Sequence, residues 1–147
     1  MRKVNYIENM EQWRSEFKFY IPVKVRFSET DMYGHVNNVS PFIYFEEARI
    51  DYIQHTGLMT DMVSKDGAVI VGDLQCDYLQ QIYFNEKLKL YVKTDSVGNS
   101  SFDLHYMGVK ENDEIAFTGR GRMVYINPQT GRPQPLSEEK KRLLVEN

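Results

Sequence analysis

The chain has very little cysteine, and its only one, Cys76, cannot form a disulfide within the chain. Free cysteines are commonly buried, so Cys76 is interpreted as a small core residue and not as a nucleophile. The sequence also lacks an apolar run of the roughly 20 residues that cross a bilayer, and the segment MRKVNYIENMEQWRSEF lacks the apolar stretch of a signal peptide. These absences predict a cytoplasmic protein with no membrane partner.

An excess of positive charge is missing as well. The chain has 18 Lys and Arg against 21 Asp and Glu, a formal net charge of -3, and its cationic residues are scattered. Because binding to nucleic acid needs a basic surface, no nucleic-acid partner is predicted. An anionic small molecule needs only a local basic patch. A length of 147 residues, 41% of them hydrophobic, predicts one domain over residues 1–147 with one core.

The spacing of apolar residues predicts a strand followed by one long helix. Apolar and polar residues alternate over Phe19–Ser28, which is typical of a half-buried strand, and Pro22 favours an edge position or the strand start. Ser40 is a preferred N-cap residue and Pro41 suits the first helical position. Gly57 is a common type of C-terminal stop. We therefore predict a mostly buried helix between Ser40 and Gly57.

Four further strands and a short tail helix are predicted after the long helix. The strands cover Ala68–Leu79, Lys87–Val97, Phe102–Tyr106 and Ile115–Ile126. The first is predicted to be a long central strand because it begins as a continuous apolar run, and the other three form two hairpins. On the last strand, Gly119 and Gly121 share one face, where they either bend the sheet or let another group approach closely.

This order of elements predicts an α+β fold with a five-stranded antiparallel sheet around one helix. Such a sheet also has a second face and two edges that need cover, and a homodimer is the simplest way to provide it.

The polar side chains that chemistry needs are concentrated between Asp31 and Arg49, in the sequence DMYGHVNNVSPFIYFEEAR. An acid, a histidine, two asparagines and a glutamate surround the predicted helix start. Backbone N–H groups there are unpaired and carry partial positive charge, so they can polarise a carbonyl group beside a carboxylate base. This block is the candidate site.

The segments DMYGHVNN, from Asp31, and YFEEAR, from Tyr44, together with the order of elements, carry a resemblance. From about Phe19 to Leu144 the chain resembles the hotdog-fold acyl-CoA thioesterases of the 4-hydroxybenzoyl-CoA thioesterase family. The resemblance implies a sheet wrapped around one long central helix and hydrolysis of an acyl thioester of coenzyme A or acyl carrier protein. It also implies no cofactor, and a site shared by two subunits of a homodimer or homotetramer.

By the same resemblance, Asp31 acts as general base or nucleophile and the backbone N–H of Asn38 polarises the thioester carbonyl. His35 matches the histidine of plant-type acyl carrier protein thioesterases, although Tyr33 replaces the asparagine of their motif. The predicted catalytic residues are therefore Asp31 and His35. The predicted substrate-binding residues are Tyr33, Gly34, Asn37, Asn38 and Glu46.

Structural roles compete with these assignments. Asp31 can instead close an Asx-turn in its own loop, and His35 can orient that loop. Asn37 and Asn38 can cap the helix, which is the commoner use of asparagine at this position. Glu46 is either an alternative base or the partner of Arg49 in an ion pair three residues apart.

Three further points concern the acyl group, the other histidines and a metal site. Pro41 stands where many relatives carry tyrosine, which leaves the acyl preference open. For His55 and His105 no partners are evident, and a surface or strand-face position is predicted. A metal site is not predicted, because His35 would be its one imidazole beside two carboxylates.

Two other functions remain as alternatives. A hotdog hydratase would act on an enoyl thioester, but its usual spacing of Asp and His is not found here. A module that binds acyl thioesters without turnover is disfavoured by the retention of Asp31 beside His35.

Overall fold

The structure of the chain, a computed structural model, describes residues 2–59 and 64–147. Within them, five strands form one antiparallel sheet in the order β1-β3-β4-β5-β2. The elements are α1 (Met10–Ser15), β1 (Phe19–Lys24), a 3-10 turn (Phe27–Glu29), α2 (Ser40–Thr56), β2 (Ala68–Tyr78), β3 (Lys87–Val97), β4 (Ser101–Lys110), β5 (Ile115–Ile126) and α3 (Glu138–Glu146). The long helix α2 and one face of the sheet share the main core, which confirms the predicted α+β hotdog fold. No helix in the described part of the chain is long and apolar enough to span a membrane.

Two strand predictions were wrong in position. The first strand ends at Lys24 because the chain turns after it. The backbone N–H of Arg26 donates to the Glu29 carboxylate, and the backbone N–H of Glu29 donates to the carbonyl oxygen of Arg26. This turn leaves Phe27 69% exposed. The strand Ala68–Tyr78 is not central but lies at the edge opposite β1. The predicted edge position of Pro22 is confirmed: among the described strands, β1 pairs only with β3, and proline cannot donate to a second neighbour.

Helix α2 is buried only on the side that faces the sheet. Phe45 is fully buried and stacks on Tyr106 with ring centroids 4.4 Å apart, whereas Ile43 on the other side is 48% exposed. Gly119 permits this packing, since a Cβ built there would lie 2.4 Å from Cζ of Phe45. Close approach, and not a bend in the sheet, therefore explains this glycine.

Part of the second face of the sheet is covered by the N-terminal segment of the same chain. A separate apolar cluster holds this segment against β4 and β5. It contains Val4, Ile7, Trp13, Phe17, Met107, Val109 and Ile115. The helix α1 in this segment was not predicted, since its six residues are too short for a clear 3.6-residue period.

A buried histidine ties this segment to the sheet. Nδ1 of His105 accepts a hydrogen bond of 2.9 Å from the indole N–H of Trp13, and the ring of Tyr6 lies 4.9 Å away. His105 therefore has partners, contrary to the prediction. Burial lowers the pKa of His105 to about 4, with Asp95 opposing the shift and Lys93 and Arg120 favouring it.

Acidification is expected to weaken this attachment. Unfolded histidine takes up a proton near pH 6.5 but His105 only near pH 4, so its contribution to stability is full above about pH 6.5 and is lost as the pH falls toward 4. Protonated Nδ1 cannot accept from Trp13. Because Trp13 is the only tryptophan, its fluorescence during urea unfolding at pH 7, 5.5 and 4.5 reports the change.

His105→Asn is the matched variant, because its amide oxygen can accept from Trp13 but does not titrate. We expect the pH dependence of its stability in this range to be smaller than that of the unmodified chain. An equal dependence in both proteins would contradict the role given to His105.

Candidate active site

The loop that carries Asp31 is a tight hairpin. Thr30 and Val36 form a bridge, and the backbone N–H of Asp31 donates to the carbonyl oxygen of His35 at 2.7 Å. Gly34 lies at the tip with φ +82°, a left-handed conformation that glycine adopts without strain. The sequence DMYGH is therefore folded back on itself, and it places Asp31 and His35 side by side at the base of the hairpin.

The carboxylate of Asp31 has one bonded oxygen and one open oxygen. Oδ1 accepts from the backbone N–H groups of Tyr33 at 2.9 Å and His35 at 3.2 Å, so the Asx-turn is present. Across residues 2–59 and 64–147, no group donates to Oδ2. The side chain is exposed, so the structural role occupies one oxygen and leaves the other accessible for chemistry.

His35 is held by ring contacts. Its imidazole meets the ring of Tyr83 edge-on with centroids 5.0 Å apart, and the ring of Tyr33 lies 6.5 Å away. In the described part of the chain its ring nitrogens make no hydrogen bond, so they are available to a bound molecule. Tyr33 itself is exposed at the hairpin tip, where its ring lies near the His35 ring and its backbone N–H donates to Asp31.

The N-cap residue of α2 is Val39 and not Ser40, which corrects the predicted N-cap, and the side chain that caps the helix start is that of Asn37. Oδ1 of Asn37 accepts from the backbone N–H groups of Val39 at 3.0 Å and Ser40 at 2.8 Å, and from the Ser40 hydroxyl at 3.0 Å. The backbone N–H of Asn37 donates to the carbonyl oxygen of Glu29 at 2.8 Å. Asn37 therefore has the capping role.

One backbone N–H at the helix start is left unbonded. Val39 and Ser40 donate to Asn37, Pro41 has no N–H, and Phe42 donates to the carbonyl oxygen of Val39 at 3.0 Å. Within the described residues, the N–H of Asn38 has no acceptor. An unpaired donor at the positive end of a helix can bind a carbonyl oxygen or an anion.

A cavity of about 220 Å³ lies near the start of α2. Its lining includes Val36, Pro41, Tyr78, Ile82 and Phe117, so it runs from the hairpin and the helix start to the end of β2 and to β5. Gln80 and Gln81 also line the cavity, whereas Asp31, His35 and Asn38 do not. Tyr78 links its wall to the helix start, because its hydroxyl donates to the carbonyl oxygen of Asn38.

Glu29 is a site residue that the sequence analysis missed. Its buried carboxylate accepts from the Tyr44 hydroxyl at 2.9 Å and from the backbone and guanidinium of Arg26 at 2.7 to 3.1 Å. Burial disfavours the charged carboxylate, but the hydrogen bonds from Arg26 and Tyr44 outweigh burial and hold the pKa of Glu29 below its usual range. Glu29 thus fastens α2 to the segment before the hairpin. The spacing of Arg26 and Glu29 was the available signal.

Glu29→Gln is expected to lower the free energy of unfolding by about 2 kcal/mol, because an amide group would face the Arg26 donors that the carboxylate now satisfies. Urea unfolding at neutral pH measures this loss. Glu46→Gln is the control, since Glu46 is exposed on α2 and its side chain has no partner in the described part of the chain. Equal losses in the two variants would show that the Glu29 network does not stabilise the chain.

Glu46 does not form the predicted ion pair with Arg49. Arg49 is buried, and its guanidinium donates to the Tyr106 hydroxyl at 3.4 Å. Glu46, in contrast, is exposed on α2. Among residues 2–59 and 64–147, the side chain of Glu46 has no hydrogen-bond or ion-pair partner. The same residues contain no group of three His, Cys, Asp or Glu side chains that could hold a metal ion.

Comparison with known proteins identifies the family. Residues 25–144 match the Thioesterase-like superfamily. The chain is 44% identical to uncharacterized protein YsmA of Bacillus subtilis over 135 residues, covering 92% of this chain and 90% of that protein. It is 27% identical to a 1,4-dihydroxy-2-naphthoyl-CoA hydrolase of Prochlorococcus marinus, covering 78% and 79% of the two chains.

Among solved structures, the chain is similar to a thioesterase from Thermus thermophilus that was crystallised with coenzyme A and Zn. The TM-score is 0.75 at 30% identity, and the match covers 86% of this chain and 91% of the other. Together with the hairpin, the capped helix start and the sheet order, these similarities show that the chain belongs to the Thioesterase-like superfamily and is a thioester hydrolase of the hotdog fold.

Proposed function

We propose that the chain hydrolyses an acyl-CoA thioester to the free acid and coenzyme A, with Asp31 as general base or nucleophile and the N–H of Asn38 polarising the carbonyl. The proposal rests on the backbone N–H groups at the helix start. From residue 37 to 42, each of them except that of Asn38 has an acceptor, and Pro41 has no N–H. The donor left for substrate is the one beside the hairpin whose carboxylate has an open oxygen.

As a general base, the Asp31 carboxylate takes a proton from water while the water oxygen attacks the thioester carbonyl carbon. The tetrahedral oxyanion that forms is bound by the N–H of Asn38. The C–S bond then breaks, and the departing thiolate receives a proton. As a nucleophile, the carboxylate itself attacks, the thiolate leaves, and water cleaves the resulting anhydride. The open Oδ2 supports both routes.

The carrier in this proposal is coenzyme A. This choice is supported by the similarity to the Prochlorococcus hydrolase, which acts on a coenzyme A thioester, and to the Thermus thioesterase crystallised with coenzyme A. The cavity of about 220 Å³ within one chain is smaller than the roughly 300 Å³ at which pockets for larger ligands begin, so on its own it fits a short or single-ring acyl group. Pro41 lines that cavity, so it is one residue that sets the size of the acyl group.

We also propose that two copies pair along β2 and share the site. This edge strand pairs with β5 on one side only, and Ile70 and Val71 on it and Ile43 on α2 are exposed. Unpaired edges with apolar side chains favour strand pairing with another chain. Sedimentation equilibrium is expected to give the mass of two chains, or of four if dimers pair, and the mass of one chain at assay concentrations would refute the pairing.

The function is tested with a panel of acyl-CoA thioesters of different acyl size, with free thiol release as the readout. Turnover of short or single-ring acyl-CoA is expected, with less turnover of long chains. Acyl carrier protein thioesters are tested in parallel, and a preference for them would correct the carrier. Binding without thiol release would support the non-catalytic module, and hydration of an enoyl-CoA would support the hydratase.

A further inference from the structure

The hydroxyl of Tyr78 joins the far edge of the sheet to the helix start. Tyr78 is the last residue of β2, 40 positions away from Asn38 in the chain, and it donates a hydrogen bond to the carbonyl oxygen of Asn38. Its ring is 44% exposed and forms part of the wall of the 220 Å³ cavity. Burial raises the pKa of Tyr78 to about 12, so the hydroxyl keeps its proton at neutral pH and acts as the donor.

This contact completes the fixation of the peptide group between Asn38 and Val39. Tyr78 holds its carbonyl oxygen, and Oδ1 of Asn37 holds its N–H at 3.0 Å. The peptide group between Val36 and Asn37 is also held, because the N–H of Asn37 donates to the carbonyl oxygen of Glu29 at 2.8 Å. The peptide group between Asn37 and Asn38 carries the unbonded N–H and lies between these two held groups, so its rotation is restricted.

A fixed direction matters for catalysis because donors that stabilise an oxyanion act best when they need no reorganisation during the reaction. The carbonyl oxygen of Asn38 presents a second electrostatic problem, since an unbonded carbonyl oxygen repels a developing negative charge nearby. A hydroxyl proton bound to that oxygen reduces the repulsion.

We propose that Tyr78 is a positioning residue for thioester hydrolysis, whose hydroxyl holds the Asn38 carbonyl so that the Asn38 N–H points at the thioester carbonyl oxygen. This inference rests on the proposed function. Tyr78 does not touch the reacting atoms; it acts through Asn38. Its effect is therefore on the polarisation of the carbonyl and not on the affinity for the acyl group or for coenzyme A.

Tyr78→Phe removes the hydroxyl and keeps the ring in the cavity wall. We expect kcat to fall roughly 10- to 30-fold, less than the 100-fold or more seen when an oxyanion donor itself is removed, with KM changed less than about 2-fold. Tyr20→Phe is the matched control, because Tyr20 on β1 is also 44% exposed and lies at the opposite edge of the sheet. It should keep both constants.

A spectroscopic measurement separates positioning from general structural damage. In Asp31→Asn protein, which holds substrate with little turnover, the infrared stretching frequency of a ¹³C-labelled thioester carbonyl in bound acyl-CoA reports polarisation. Binding should lower this frequency, and adding Tyr78→Phe should move it back toward the value of free acyl-CoA. The Tyr20→Phe double variant should leave the lowered frequency unchanged.

The possible outcomes are distinct. An unchanged kcat in Tyr78→Phe, or a lower kcat with no change in the carbonyl frequency, would overturn the inference alone and leave the proposed function standing. Absence of thioester hydrolysis by the unmodified protein would overturn the proposed function and this inference with it. A lower kcat together with the frequency shift would support both.

Discussion

Asp31→Asn is expected to lower kcat for acyl-CoA hydrolysis by at least about 100-fold, the size of effect produced by loss of a general base or nucleophile. The amide keeps the oxygen that accepts from the backbone N–H groups of Tyr33 and His35, so the hairpin is retained. What the variant loses is the negative charge and the basicity of the open oxygen. Initial rates of thiol release at saturating substrate measure the loss, and the midpoint of thermal unfolding should change little.

Asp51→Asn is the control for this prediction. Asp51 is an exposed aspartate on the outer side of α2, outside the hairpin and the helix start, so its replacement removes the same charge without touching the site. Its kcat should stay within about 2-fold of the unmodified protein. If Asp31→Asn also kept its kcat, Asp31 would be a turn residue only, and the base or nucleophile would have to be sought elsewhere.

Gly119→Ala is expected to lower the free energy of unfolding by about 3 kcal/mol, at the upper end of the range for overpacking a well-filled core. The added Cβ would lie 2.4 Å from Cζ of Phe45 and 3.1 Å from the backbone oxygen of Gln75. Phe45 cannot move away easily, because it is fully buried between α2 and the sheet and its ring stacks on Tyr106. Urea unfolding gives the free energy.

Two variants control for the glycine change. Gly98→Ala adds the same methyl group in the β3–β4 turn, where its nearest neighbour is the carbonyl oxygen of Ser101 at an ordinary 3.4 Å, so little stability should be lost. Gly119→Ala combined with Phe45→Leu should lose less than the sum of the two single changes, since the smaller side chain relieves the contact. Additive losses, or a Gly119→Ala protein as stable as Gly98→Ala, would show that the approach of Phe45 does not require glycine.

The parts of the fold that depend on neighbours in sequence were predictable. The hairpins β3–β4 and β4–β5 follow from alternating residues and short turns, and α2 follows from Pro41 near its start, Gly57 at its end and its apolar spacing. The position of β2 at an edge was not predictable, because its apolar run is equally typical of a strand buried in the middle of a sheet. Strand order depends on long-range pairing, which local patterns do not contain.

The same division applies to the site. Asp31, Gly34 and His35 lie within one short segment, DMYGH, and could be picked out there as candidate residues, but the segment was predicted as a loop and not as a hairpin. The unbonded N–H of Asn38 depends on which of two good capping residues, Asn37 or Ser40, takes the helix start, and local preference does not separate them. In the sequence Glu29 is an ordinary charged residue, and its role becomes clear only from its hydrogen bond with Tyr44. The contact of Tyr78 with Asn38 joins residues 40 positions apart, which local patterns do not contain.

Steady-state turnover of a short or single-ring acyl-CoA in water enriched in ¹⁸O, with products analysed by mass spectrometry, tests thioester hydrolysis at this site most directly. The unmodified protein should release coenzyme A and free acid in equal amounts, with one ¹⁸O from solvent in each carboxyl group, and Asp31→Asn should form both products at least about 100-fold more slowly. An intact thioester with ¹⁸O in its acyl chain, or equal rates for the two proteins, would contradict this account.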